Sequence, residues 1–340
     1  MHRTALLEYC HPEQKSLRFG MTLDLRQLAA FVAVLNHGSL GRAAASLHIT
    51  QPALGRTIRR LETQLGAPLF ERHTTGMRLT VYGEALRPHA KMLQQEAEQA
   101  TEEIQALRGL ARGTIRVGTI ASVASAVLPR ALERVLERWP NLQVRILEGV
   151  GDVLADALMN YEIDLAIGTS LPDHDNICSV PDWESYDNSY VIASTAHPLR
   201  KRRKLYLKDV LNERWVFSPR GTPPADQFMS VLSQHGLGMP NVVIETRSVV
   251  AIKSLVVHGR FLSWMAEPMY YAEQRAGLVD SLPIEGVAAQ RRLTVFRRRN
   301  GNLPAPAAKL LESLRQVTAV HGGASERRHT GKRRLSATGL

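Results

Sequence analysis

The chain has 340 residues, 44% hydrophobic and 22% charged, with a net charge of +11, the balance of a globular protein with more than one core. No stretch approaches the roughly 20 apolar residues that a membrane-spanning helix needs, and the two cysteines, Cys10 and Cys178, are too few for a disulfide framework or a multi-cysteine metal site. Integral membrane proteins and disulfide-stapled modules are excluded, a reducing compartment is expected, and the basic balance favours a polyanionic partner without naming it.

Residues 1–21 show no sustained periodicity and no apolar run, so they are expected to be a disordered arm rather than a secretory leader, with Met21 an alternative start. From Leu25 the spacing is helical: Leu25, Leu28, Phe31, Val32 and Leu35 mark one face, and His37-Gly38 ends the helix. Ser39 then N-caps a short helix carrying Leu40, Ala43, Ala44 and Leu47. Thr50 caps a third, with Pro52 in its first turn, a buried stripe of Leu54, Ile58, Leu61 and Leu65, and Gly66 as its stop. Arg56, Arg59 and Arg60 fall on its other faces. Two short helices and a tight joint before a polar-faced helix predict a helix-turn-helix over about residues 40–59. Residues 67–83 predict a β-ribbon, with Arg72 and Arg78 flanking its turn as on a wing.

Residues 84–112 predict one long helix. Leu86, Ala90, Leu93, Ala97, Ala100, Ile104, Leu107 and Ala111 alternate spacings of four and three, the seam of a dimerising helix. Pro88 is expected either to mark its first turn or to kink it. From residue 113 to 318 the pattern changes to strands (about 114–118, 142–148, 163–168, 214–218 and 242–246) alternating with helices (about 124–139, 151–160, 225–236 and 249–258). Such alternation predicts parallel sheets with helices on their faces. Its length suggests two lobes, with chain crossings at about 183–194 and 279–298. Residues 319–340 form a basic tail with no core pattern, expected to be disordered.

The runs Leu25-Arg26-Gln27-Leu28, Gly38-Ser39-Leu40 with Ala43-Ala44, Thr50-Gln51-Pro52-Ala53-Leu54, Leu69-Phe70-Glu71-Arg72 and Leu79-Thr80 to Gly83 stand in the order and spacing of a known family. So do Val117-Gly118, Leu128-Pro129, Pro140, Gly149, Asp164-Leu165-Ala166-Ile167 and His197-Pro198-Leu199. Over about residues 22–318 the chain resembles the LysR-type transcriptional regulators. The resemblance implies an α/β protein with an N-terminal winged helix-turn-helix (22–83), a linker dimerisation helix (84–112) and a C-terminal two-lobed effector domain (113–318) shaped like a type 2 periplasmic binding protein. It further implies a cytoplasmic regulator that binds double-stranded promoter DNA as a homodimer and homotetramer. Such a regulator responds to a small-molecule effector and works with RNA polymerase, as activator, repressor or both.

On this reading Thr50, Gln51, Pro52, Gly55, Arg56 and Arg59 lie against DNA, and Arg72 and Arg78 contact backbone or minor groove. The Gln51 amide suits adenine, and Arg56 or Arg59 suits guanine or phosphate. A solvated helix face is the bland alternative for these arginines, outweighed by the surrounding pattern. Gly55 departs from the family's usual serine, which removes one hydroxyl contact. Ligands bind beyond the carboxyl ends of strands in open α/β sheets. That places Ser122, Ser125, Gly149, Val150, Thr222 and Ser248 at strand-to-helix junctions around an effector pocket, each hydroxyl being alternatively a simple N-cap. Of these, Ser122 matches a position that often touches effector in the family; Val150-Gly151 depart from the usual Ser or Thr.

Arg260 and Trp264 are candidates either for shaping the ligand slot or for structure, and the runs Arg200–Lys204 and Arg297–Arg299 read as solvated edges or subunit surface. No phosphate-binding loop, zinc-helix signature, nucleophile elbow or dinucleotide fingerprint occurs, so no catalytic residue, metal or cofactor is expected. His197, before Pro198, reads as a turn residue rather than a base. An enzyme, a transport receptor and a ligand-free structural DNA-binding protein are the competing classes; the N-terminal module argues against the first, the lack of an export signal against the second, and the long two-lobed domain against the third.

Overall fold

A computed structural model describes residues 23–74, 76–107, 113–285 and 287–318. The predicted arm, the end of the linker helix (108–112) and the basic tail lie outside the described residues. The chain divides into two compact units at Glu96/Ala97.

In the first unit, helix α1 (Leu25–His37) starts at Asp24, whose carboxylate accepts from the Arg26 N–H at 2.9 Å, and stops at Gly38, left-handed at φ 60°. Helix α2 (Leu40–Ser46) follows Ser39, which holds the N-cap position without a side-chain capping bond, and helix α3 (Gln51–Leu65, closed by left-handed Gly66) follows the Thr50 cap. Leu28, Phe31, Val34, Ala43, Ala44, Leu54, Ile58 and Leu61 form the core. Ala43 and Ala44 are fully buried, which explains why small residues stand where helices meet closely. Strands β1 (Phe70–His73) and β2 (Gly76–Leu79) pair antiparallel, and Phe31 meets Phe70 with ring centroids 5.1 Å apart. Gly76 is required: a Cβ there would lie 2.4 Å from the Gly38 carbonyl oxygen, at a φ of +131°.

Helix α4 (Val81–Leu107) begins three residues before the predicted start at 84. The missed signal is Thr80, whose hydroxyl accepts from the Gly83 N–H at 3.2 Å in the manner of an N-cap. Pro88 is therefore inside the helix, not in its first turn. The predicted seam also divides. Ala90 is buried, and Leu86 and Leu93 pack on the first unit's own core, whereas Ala100 is exposed and Ile104 is 61% exposed. The Leu107 side chain and Ala111 lie outside the described residues.

The second unit holds a curled mixed sheet. Parallel strands β3 (Gly113–Thr119), β4 (Leu142–Glu148) and β5 (Leu165–Gly168) sit with β3 in the middle. Two long antiparallel strands, β6 (Ile177–Ser194) and β11 (Ala289–Arg298), extend the sheet, and β9 (Ser263–Ala266) and β10 (Val279–Ser281) pair with the far end of β6. A separate parallel pair, β7 (Trp215–Phe217) and β8 (Val242–Glu245), completes the second lobe. Each long strand serves both lobes. Trp183, Leu293 and Val295 lie in the first lobe's core, while Val191 and Ala193 lie in the second's. The first core is covered by α5 (Ala121–Ser125), α6 (Val127–Arg138), α7 (Gly151–Met159) and a helix at 305–318. The second has α8 (Pro223–Gln234), α9 (Val249–His258) and α10 (Glu267–Arg275).

Four sequence expectations need correction here. The helix predicted at 124–139 is two, broken at Ala126 (φ −138°, ψ −67°). The first crossing starts at Ile177, ahead of the predicted 183. The stretch 279–298 is an edge strand, β10, followed by the crossing strand β11. Finally, Arg200, Arg297 and Arg298 are half-buried rather than solvated edges, whereas Arg299 is exposed as expected. Arg298 pairs with the fully buried Asp164 at 3.0 Å, Arg299 donates to the Asp175 carbonyl at 2.8 Å, and Arg200 donates to the Ser194 carbonyl at 3.1 Å. Trp264 is core, stacked on Phe228 at 4.9 Å with its indole N–H donating to Gln227, and Arg260 is exposed.

Candidate nucleic-acid interface and ligand site

One face of α3 anchors it to the core through Leu54, Ile58 and Leu61, and the other is free. Thr50 caps the helix, its hydroxyl accepting from the Ala53 N–H at 3.4 Å, so the first turn is fixed where Gln51 and Pro52 emerge. Gln51, Pro52, Arg56 and Arg59 are exposed, with Gly55 half-buried between them. Nothing lies within 4 Å of a Cβ built on Gly55, so the glycine answers no steric demand in the free protein. The Gln51 amide oxygen lies beside Gly41 of α2, 3.5 Å from where a Cβ would stand. Arg42 on α2 is also exposed, a basic residue that the sequence reading left out of the site.

The ribbon separates its two arginines. Arg78 stands opposite Glu71 and Arg72 opposite Met77. Neighbouring positions on a strand point to opposite faces, so Arg78 shares the outer face with Glu71, and Arg72 shares the face of Phe70 and Met77, both packed on the core. Among the described residues none of Arg56, Arg59, Arg72 and Arg78 makes an ion pair; Glu71 contacts His73 at 3.1 Å instead. Unpaired arginines on one small unit create a positive surface suited to phosphates.

Around the second unit's strand ends the predicted residues diverge. Ser122 is buried and accepts from Arg291 Nη2 at 3.0 Å. Ser125 is exposed and bonds back to the Ala121 carbonyl at 2.8 Å. Gly149 donates to the Thr119 carbonyl at 3.0 Å, and a Cβ there would meet Val153 at 2.8 Å, so glycine permits the close approach of α7. Val150, 44% exposed, precedes α7 without a capping side chain. Thr222 donates to the Pro219 carbonyl at 2.7 Å, and Ser248 caps α9 by accepting from the Ala251 N–H at 3.2 Å. Only Ser122, then, enters a buried polar network. Asp187 and Arg291 complete that network; being distant in sequence, neither was legible there. A cavity of about 390 Å³ lies on the first lobe, lined by Thr169, Ser170, Trp183, Glu184, Arg292 and Thr294 among others, and by none of the predicted residues.

His197 is buried and caps a short 3-10 turn, its Nδ1 accepting from the Leu199 N–H at 3.3 Å, so it is a structural turn residue. Burial holds its pKa below the ordinary histidine value; Glu213 opposes the shift, and Arg260 and Arg200 add to it. Among the described residues no cluster of three metal-ligating side chains occurs, and no helix is long and apolar enough to cross a membrane.

Residues 25–84 match the model of the bacterial regulatory helix-turn-helix protein, lysR family, and residues 108–319 match the LysR substrate binding domain. The chain belongs to the LysR family: it is a transcriptional regulator with a DNA-binding helix-turn-helix and an effector-binding domain, in a family of regulators rather than enzymes. It is similar to the HTH-type transcriptional regulator CfxR of Cupriavidus necator (31% identity; 80% of this chain, 85% of that protein). A second relative is GbpR of Azospirillum brasilense (28% identity; 87% of each chain). Its fold is similar to that of a full-length OxyR variant from Pseudomonas aeruginosa, with a TM-score of 0.66 at 22% identity over 87% of this chain and 95% of that one.

Proposed function

We propose that α3 enters the major groove of promoter DNA, with Gln51 reading adenine and Arg56 and Arg59 reaching guanine or phosphate. The observation that carries this is the exposed face of a helix whose other face is locked into a core, on which Arg56 and Arg59 make no ion pair among the described residues. Thr50, Pro52 and Gly55 keep the backbone of the first turns close to the duplex. Arg72 and Arg78, on opposite faces of the wing, grip separate phosphates. Exposed Ala100 and Ile104 on α4 support pairing of two chains, and two such pairs form a tetramer. An effector held at the strand-to-helix junctions (Ser122, Ser125, Gly149, Val150, Thr222 and Ser248), with Ser122 its central contact, shifts the balance between lobe arrangements. It does so by as much as its affinity for them differs. In the cytoplasm this alters how the regulator engages RNA polymerase, activating or repressing.

Fluorescence anisotropy of the full chain on the intergenic DNA upstream of its own gene, against random duplex over a range of salt, tests the reading. Preference for the upstream fragment, and a salt slope about one unit shallower in Arg56→Ala, are expected. Equal affinity for both duplexes contradicts it.

A further inference from the structure

The two crossing strands present two faces, and one of them carries the partners of Ser122. Arg291 stands opposite Asp187 in the strand register and donates to the Ser122 hydroxyl at 3.0 Å. The pairs Arg292–Tyr186, Thr294–Glu184 and Phe296–Ser179 point to the other face, because successive residues of a strand alternate. The cavity of about 390 Å³ opens on that other face. One wall is the loop after β5, through Ser170, and the other is an irregularity of β6. Between Ser179–Phe296 and Glu184–Thr294, β6 has Val180, Pro181, Asp182 and Trp183 where β11 has Val295 alone. Bulges of this kind lift a strand out of its ladder and re-aim its side chains. Asp182 takes a left-handed φ of 62°, a conformation that aspartate and asparagine tolerate better than other side chains.

The polar groups of this cavity are uncommitted. Thr294 is 8% exposed, yet its hydroxyl makes no hydrogen bond among the described residues and is not sealed from solvent, so it opens into the cavity. The exposed Ser170 and Ser179 hydroxyls and the exposed Asp182 carboxylate are also without partners among the described residues. Arg292 is held at the edge by Glu184, whose Oε1 accepts from Nη1 at 3.2 Å and whose Oε2 accepts from the Tyr186 hydroxyl at 2.9 Å. A hydroxyl donates and accepts, a carboxylate only accepts, and a guanidinium only donates. A ligand that satisfies all three kinds at once carries several groups that do both, which describes a polyol. Two carboxylates, Asp182 and Glu184, against the one guanidinium leave the lining negative, which opposes a carboxylate or phosphate ligand. Leu171 and Phe296 supply apolar surface for the C–H face of a sugar ring, and the volume lies at the small end of the range for small-molecule sites.

We propose that this cavity is a second ligand site, separate from the junctions around Ser122, and that it takes a neutral monosaccharide or cyclic polyol. Asp182 accepts from ring hydroxyls, Arg292 donates to them, and Thr294, Ser170 and Ser179 do both. The inference does not rest on the readings of Ser122 or of α3. A ligand here joins the β6 bulge to β11 and to the loop after β5, and so acts on the strands that serve both lobes. It shifts the lobes by as much as its affinity for their arrangements differs.

The test is calorimetric titration of the full chain with glucose, galactose, arabinose and myo-inositol, each beside its monophosphate. At least one neutral compound is expected to bind, with its monophosphate weaker by about tenfold or more. Asp182→Asn, which keeps the shape and tolerates the left-handed φ, is expected to weaken that compound about tenfold, the loss for a hydrogen bond to a charged group. Thr294→Val, the same shape without the hydroxyl, should weaken it several-fold. Both variants should keep the native near-UV circular dichroism. A panel in which no neutral compound binds, a monophosphate that binds as tightly as its parent, or binding unmoved by both Asp182→Asn and Thr294→Val overturns the inference. Binding that is lost in Ser122→Ala and kept in Asp182→Asn and Thr294→Val puts the ligand at the junction instead; it overturns the second site and leaves the effector reading standing.

Discussion

Replacing Asp164 by alanine is expected to strand a charge inside the first lobe. The Asp164 side chain is fully buried, and its Oδ1 accepts from Arg298 Nη2 at 3.0 Å, with Arg116 at 3.9 Å. Arg298, only 10% exposed, also donates from Nη1 to the Leu158 and Ile163 carbonyls at 2.9 and 2.6 Å and lies 4.3 Å from the centre of the Tyr161 ring. Without the carboxylate the guanidinium keeps its two carbonyls and loses the one close counter-charge it has among the described residues. Removing one partner of a buried pair costs about 3–5 kcal/mol, which for a unit of this size lowers its melting midpoint by roughly 10 °C. The double variant Asp164→Ala with Arg298→Met removes the stranded charge as well and should recover much of the loss. Scanning calorimetry of the full chain, following the effector unit's transition, measures both. A single variant within about 1 kcal/mol of wild type, or a double variant less stable than the single, would refute the reasoning.

Other consequences are as direct. Gly55→Ala adds a methyl into open space in the middle of α3, so it should stabilise the first unit by about 0.5–1 kcal/mol in urea unfolding, since glycine is a poor helix former. Phe228→Ala should destabilise the second lobe by about 3–5 kcal/mol, because Phe228 stacks between Trp215 at 5.0 Å and Trp264 at 4.9 Å; tryptophan fluorescence during denaturation reports it. The depressed pKa of His197 means that the unfolded chain protonates first as pH falls. Its contribution is therefore present above the unfolded histidine value of about 6.5 and is lost as pH drops through the lower folded one. His197→Asn should flatten the stability profile over that acid window; an unchanged slope would show that the buried imidazole is not its source.

The first unit was legible because its signals are local. Ser39 and Thr50 before helices, and Gly38 and Gly66 after them, fixed four helix boundaries within a residue or two. The exposed face of α3 followed once the Leu54–Ile58–Leu61 stripe was assigned to the core. Thr80 carried the same kind of signal and was passed over, which delayed the start of α4. What stayed hidden depends on contacts between distant residues. Arg291 meets Asp187 and Ser122 across 104 and 169 positions, and Arg298 meets Asp164 across 134. Nothing in a run such as Arg297-Arg298-Arg299 distinguishes a buried guanidinium from an exposed one. Hydroxyls read ambiguously for the converse reason: Ser125, Thr222 and Ser248 sit at strand-to-helix junctions and also bond to nearby backbone, as serine and threonine commonly do, so a run of sequence does not separate a cap from a ligand contact.

The most direct measurement is the specificity of Gln51→Ala, taken as the ratio of affinities for the upstream operator and for the same operator with one A·T pair replaced in each half-site. If α3 reads the major groove in pairs, wild type discriminates at symmetric A·T positions by about 1–3 kcal/mol each. Gln51→Ala loses that discrimination while its affinity for random duplex is unchanged. A variant that discriminates as well as wild type at every position would contradict the account.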